Sequence, residues 1–145
     1  MTEQALETRP QPRRVDANVI LRFLTGEPPP QAERAAKLFR SVEAGVAAVI
    51  VEDVVLAEVV WTLSSYYRMP KAEIAAALLE LLADEGVPNA DKASLQMALV
   101  LFREKNLDFA DALLAARVIN TGERELYSFD RDFDRVPGLS RKEPD

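Results

Sequence analysis

The apolar residues of this chain fall into two kinds of run: some recur every three or four residues, and others are continuous. From Gln31 to Ala44, Ala32, Ala35, Ala36, Leu38, Phe39 and Val42 make a stripe of helical period, and Gly45 follows as a stop. Val46-Ala47-Ala48-Val49-Ile50-Val51 is unbroken and of strand length, the pattern of a parallel strand covered on both faces. Asp53 then stands where an N-cap belongs and opens a long helix to about Arg68. Pro70 and Glu73 begin the next helix, which runs to about Asp84 before Gly86 and Pro88 stop it. Further helices are predicted from Asp91 to Glu104 and from Asp108 to Asn120, the second closed by Gly122.

Shorter pieces complete the pattern. Arg13-Arg14-Val15 reads as a first strand. Val19 to Leu24 reads as a short apolar helix or turn, broken by Gly26-Glu27-Pro28-Pro29-Pro30. Glu125 to Phe129 is a strand, Asp130 to Phe133 a helical turn, and the tail after Pro137-Gly138 a last edge strand. Residues 1–12 are polar, hold Pro10 and Pro12, and are predicted to be a disordered leader. A single domain is expected over 13–145. Strands separated by helices imply a parallel sheet with right-handed crossovers, so the fold expected is a small three-layer α/β/α domain.

Four carboxylates interrupt the apolar runs. They are Asp16 in Val-Asp-Ala-Asn-Val-Ile-Leu, Glu58 in Val-Leu-Ala-Glu-Val-Val-Trp, Asp111 in Phe-Ala-Asp-Ala-Leu-Leu and Asp130 in Leu-Tyr-Ser-Phe-Asp. An ionised carboxylate in such surroundings is costly unless something positive compensates it. Each also has an ordinary explanation. Asp16 and Asp130 follow strands and can cap the next helix. Asp108 and Asp111 have the three-residue spacing of a capping box. Glu58 lies mid-helix, where capping is unavailable. Its neighbours Val54, Val55 and Trp61 predict a largely buried helix, and a salt bridge to Arg117 or Arg22 is the structural alternative. Asn18 and Ser128 stand two residues from an acid and can orient a carboxylate or a water. Asp132 and Asp134 extend the last acidic cluster and are expected to be solvated.

Composition narrows the chemistry. The chain has 145 residues, no cysteine and no histidine. Disulfide scaffolds, thiolate zinc sites, cysteine nucleophiles, Ser-His-Asp triads and imidazole bases are excluded. Oxygen-ligated ions remain: magnesium, manganese or calcium. The net charge of −6 argues against nucleic-acid binding through a broadly basic surface. Two divalent ions among four carboxylates would offset most of it. No apolar run reaches membrane-spanning length and no signal peptide is visible, which points to the cytoplasm.

Val-Asp-Ala-Asn-Val-Ile-Leu-Arg-Phe-Leu-Thr-Gly resembles the first motif of PIN-domain ribonucleases, especially VapC toxins of bacterial toxin–antitoxin systems. Leu-Ala-Glu-Val-Val-Trp-Thr-Leu is similar to the second motif, Leu-Asp-Phe-Ala-Asp-Ala-Leu-Leu-Ala-Ala to the third, and Leu-Tyr-Ser-Phe-Asp-Arg-Asp-Phe to the fourth. The similarity runs from about Arg13 to Leu139. It implies Asp16, Glu58, Asp111 and Asp130 as the acidic quartet, catalytic and metal-binding. Asn18 matches the family's polar residue after the first Asp, and Ser128 takes the place of a frequent Thr. Asp108 falls at a position often acidic in this subgroup. One departure is Pro12-Arg13-Arg14-Val15, where the family has an apolar strand.

The resemblance implies an endoribonuclease using Mg2+ or Mn2+, ions that acidify a water for attack on phosphorus. Asp16 and Asp111 are the expected direct ligands, with Glu58 and Asp130 completing the set or acting through waters. Phosphate contacts are assigned to Arg22, Arg117 or Arg131. It also implies a small VapB-like antitoxin that covers the site and a homodimer. Trp61, Tyr66 and Tyr67 are candidates for the dimer contact, although core packing is the simpler role for Trp61 alone. Two other classes stand as alternatives. A haloacid-dehalogenase-type phosphatase needs a second acid two residues after the first, where this chain has Asn18; a receiver domain needs an acidic pair and a late Lys. A non-enzymatic protein-binding module would use the same acids only as caps and ion-pair partners.

Overall fold

The structure is a computed structural model that describes residues 10–145. Most of the expected leader, residues 1–9, lies outside the described residues. The elements in chain order are β1 (Arg13–Arg14), α1 (Ala17–Thr25), α2 (Pro29–Glu43), β2 (Val49–Ile50), α3 (Asp53–Ser65) and α4 (Lys71–Ala83). They continue with α5 (Lys92–Lys105), α6 (Phe109–Asn120), β3 (Glu125–Tyr127), a 3-10 turn (Arg131–Arg135) and β4 (Ser140–Lys142). The layered α/β class expected from the sequence is the one observed.

Every strand pair among the described residues is parallel, but the strands form two pairs, β1 with β2 and β3 with β4. The strand expected over the apolar run 46–51 shortens to Val49–Ile50. Beyond it Asn89 takes over: its side chain accepts from the Val51 amide at 3.1 Å and donates to the Val51 carbonyl at 2.6 Å. Val49 in turn donates to the Gly86 carbonyl at 2.9 Å. The 86–89 segment therefore runs along the edge of β2 that β1 leaves open. Gly86 is needed there because a Cβ would lie 2.6 Å from Val42 Cγ1.

Helix boundaries match the periodicity to within a few residues. Asp53 is the first residue of α3 rather than its cap; Glu52 holds the cap position with no side-chain bond. The core is one continuous cluster. Ile20, Leu56, Leu63, Ile74, Leu78, Leu95, Leu99 and Leu107 are all fully enclosed in it. At roughly 1.5–3 kcal/mol per large apolar side chain, this burial is the main force against chain entropy. The core sits mainly between helices, with α5 and α6 the most extensively packed pair. That packing fixes the first turn of α6, and with it Asp108 and Asp111.

Candidate active site

Asp16 ends the β1 segment and caps α1, its Oδ1 accepting from the Val19 amide at 3.1 Å. Asp130 does the same for the 3-10 turn, its Oδ1 accepting from the Asp132 amide at 2.9 Å. The capping explanation therefore holds for both, but it occupies one oxygen of each. Ser128 fixes Asp130 from behind: its hydroxyl accepts from the Asp130 amide at 2.9 Å. Arg141 in turn donates to the Ser128 carbonyl at 3.1 Å. The backbone that presents Asp130 is thus tied to β4.

The capping-box explanation fails for Asp108 and Asp111. Asp108 occupies the cap position of α6, yet its side chain makes no capping bond. Asp111, in the first turn, is half-buried. Burial, and then the charges of Asp108, Asp130 and Asp132, push its carboxyl above the usual carboxylate range. These four acids form one electrostatic group.

Glu58 is exposed, contrary to the burial its apolar neighbours predict. Helix α3 buries Leu56, Val59, Val60 and Leu63 but leaves Val54 and Trp61 at 74% and 68% exposure. Its apolar surplus faces outward, so Trp61 is not a core residue. Glu58 forms no ion pair among the described residues. Arg117, offered as its partner, instead bridges Asp53 and Asp91, which raise its pKa. Arg22 donates to Gln31 at 3.0 Å. With Trp61 and Asp108, Glu58 lines an open cleft of about 590 Å³.

Asp16 and Asn18 line a different cleft, of about 550 Å³, together with Arg22, Gln31 and Arg34. The structure thus brings Asp108, Asp111 and Asp130 together electrostatically and places Glu58 on the same cleft as Asp108. It puts Asp16 and Asn18 at another opening. Asp132 joins the group and pairs with Arg135, while Asp134 pairs with Arg141. Sequence reasoning passed over Gln31 and Arg34; their three-residue spacing on the polar face of α2 was the available signal.

Residues 14–139 match the sequence model of the PIN domain. The chain belongs to the PIN-domain family. A protein named "VapC ribonuclease" from Aquifex aeolicus (strain VF5) is 25% identical to it over 122 residues, covering 84% of this chain and 90% of that protein. All four carboxylates singled out from the sequence fall within the matched PIN segment. Hard carboxylate oxygens, with no imidazole or thiolate, suit a divalent ion such as magnesium or manganese. The like-charge field at Asp111 is one that a cation would relieve. Among the described residues, however, no three acids stand close enough to ligate one ion. Asp16 and Glu58 are not among the charges that act on Asp111. The donor chemistry of this PIN domain fits such an ion, and no coordination geometry follows from it.

Proposed function

We propose that this PIN domain is a metal-dependent endoribonuclease and the toxin of a toxin–antitoxin pair, acting in the cytoplasm. The observation that carries the reading is the acidic group around Asp111, inside a chain of this family. The name of the Aquifex relative supports RNA as the substrate. In this reading Asp16, Glu58, Asp111 and Asp130 hold Mg2+ or Mn2+, with Asp16 and Asp111 as direct ligands. The ion supplies an acidified water and positive charge for phosphodiester hydrolysis.

The chain's own residues do the rest. The Val19 and Asp132 amides each hold one oxygen of Asp16 and Asp130, so the second oxygen of each is presented in a fixed direction. Ser128 keeps the Asp130 backbone in place, Asn18 stands beside Asp16, and Asp108 adds negative charge beside Asp111. A small VapB-type antitoxin would silence the enzyme by covering these acids. A homodimer is proposed through the outward face of α3, where Val54, Trp61 and the adjoining Tyr66 are exposed. Among the described residues no helix is long and apolar enough to cross a membrane.

The test is cleavage of total RNA with and without EDTA, by wild type and Asp16→Asn. Asn caps a helix about as well as Asp, so the fold should survive. Wild type should cut only with the divalent ion, and the variant should lose at least about 100-fold in rate, the size of one missing electrostatic contact in a site of this kind. Undiminished cutting by Asp16→Asn contradicts the assignment.

A further inference from the structure

The cleft between α1 and α2 has a feature that the acid chemistry does not use. Asp16, Asn18, Arg22 of α1 and Arg34 of α2 all line it. The two helices pack directly on one another, so the guanidinium-bearing helices are held by the core. Five of the chain's other arginines, Arg14, Arg103, Arg117, Arg135 and Arg141, are paired with carboxylates. Among the described residues Arg22 and Arg34 have no such partner, nor do Arg13, Arg40, Arg68, Arg124 and Arg131, but of these seven only Arg22 and Arg34 line the cleft that holds Asp16. Arg22 is also oriented: its Nε donates to Gln31 Oε1 at 3.0 Å, which leaves both terminal nitrogens for another acceptor. Arg34 is exposed. On a chain of net charge −6, two unpaired guanidiniums beside a carboxylate are a local reversal of sign.

We propose that this cleft is the track for the RNA backbone next to the cut, with Arg22 and Arg34 each contacting a phosphate and Gln31 acting as the positioning residue for Arg22. The inference rests on the ribonuclease reading. A guanidinium fork matches phosphate oxygens in geometry and charge, and a phosphate contact sets register without reading sequence. The track therefore places a phosphodiester beside Asp16 whatever the bases are. Arg117 has no part in it, because its guanidinium is spent on Asp53 and Asp91.

The experiment measures binding of a fluorescent single-stranded RNA of mixed sequence over a series of salt concentrations. It uses the full chain carrying Asp111→Asn, which leaves the cleft untouched. Each lost phosphate contact should reduce the slope of log affinity against log salt by about 0.7. Arg22→Gln and Arg34→Gln should each show that loss, and the double variant about twice as much. Gln31→Ala should weaken binding with a smaller change in slope. Arg40→Gln, on α2 but outside the cleft, should change nothing. In the otherwise wild-type chain, Arg22→Gln and Arg34→Gln should raise KM for cleavage several-fold and leave kcat nearly unchanged. Unchanged slopes in a chain whose wild type cuts RNA overturn the track and leave the ribonuclease reading standing. A wild type that cuts no RNA overturns both.

Discussion

Asp111 and Asp91 are both carboxylates at the beginnings of helices, and their surroundings push them in opposite directions. Burial and three neighbouring acids raise Asp111. Burial also acts to raise Asp91, but hydrogen bonds from Arg117 and Ser94 outweigh it and hold Asp91 below the usual range. A raised folded value means that the native state holds the proton more tightly than the unfolded chain. The contribution of Asp111 to stability is therefore complete below its unfolded value and lost as pH rises through its folded value. Asp91 works the other way: it stabilises above its unfolded value, and that contribution is lost as pH falls through its folded value. In EDTA, Asp111→Asn should raise the neutral-pH melting temperature, because the amide removes a charge that burial and three neighbouring acids oppose. The gap should close as the pH is lowered and Asp111 takes up its proton. A variant that melts below wild type at neutral pH would show that the acids around Asp111 do not strain the fold. At this scale the sequence showed which acids were out of place but not what surrounds them. Spacing alone made Asp108–Asp111 a capping box, because it cannot say whether a side chain turns back to its own amide or away from it.

At the scale of elements, period and stop residues located five of the six helices of the described residues and left α1 open between helix and turn, because most helices bury one stripe and most of their ends carry Pro, Gly or Asp. The strands were harder to bound. Val46 to Val51 looks like one strand, yet only Val49–Ile50 pairs with β1, because the Asn89 side chain rather than a neighbouring strand satisfies Val51. Nothing in the local pattern marks Asn89 as a surrogate strand. Helix α3 misled in another way. An all-round apolar composition suggests burial, but it also fits a helix with one face on the core and the other on a second molecule. Its outward residue Val54 lies outside the cleft that holds Glu58, so it separates association from catalysis. Light scattering should give wild type a mass about twice 16.1 kDa and Val54→Glu the monomer mass, with melting temperature nearly unchanged. Equal masses for the two proteins would remove α3 from the interface.

Across the whole molecule, acidity and substrate are opposed. In the proposed ribonuclease a chain of net charge −6 has to receive a polyanion, and it holds several of its acids in one small group. Cations bound there would turn the most repulsive region into the point of attachment, with the unpaired arginines of the α1–α2 cleft guiding the strand toward it. The absence of histidine and cysteine narrows the proposed chemistry to oxygen ligands, and that much is legible in the sequence. The arrangement in two clefts was not legible, because it depends on how α1, α3 and α6 pack. In the proposed reaction the acid group is what makes cleavage metal-dependent. The direct measurement is the rate of RNA cleavage after EDTA treatment as Mg2+ is restored, for wild type and Asp111→Asn side by side. Wild type should regain its rate with rising Mg2+, and the variant should stay at least about 100-fold slower at every concentration. Equal rates for the two proteins, or full cleavage in EDTA, would contradict it.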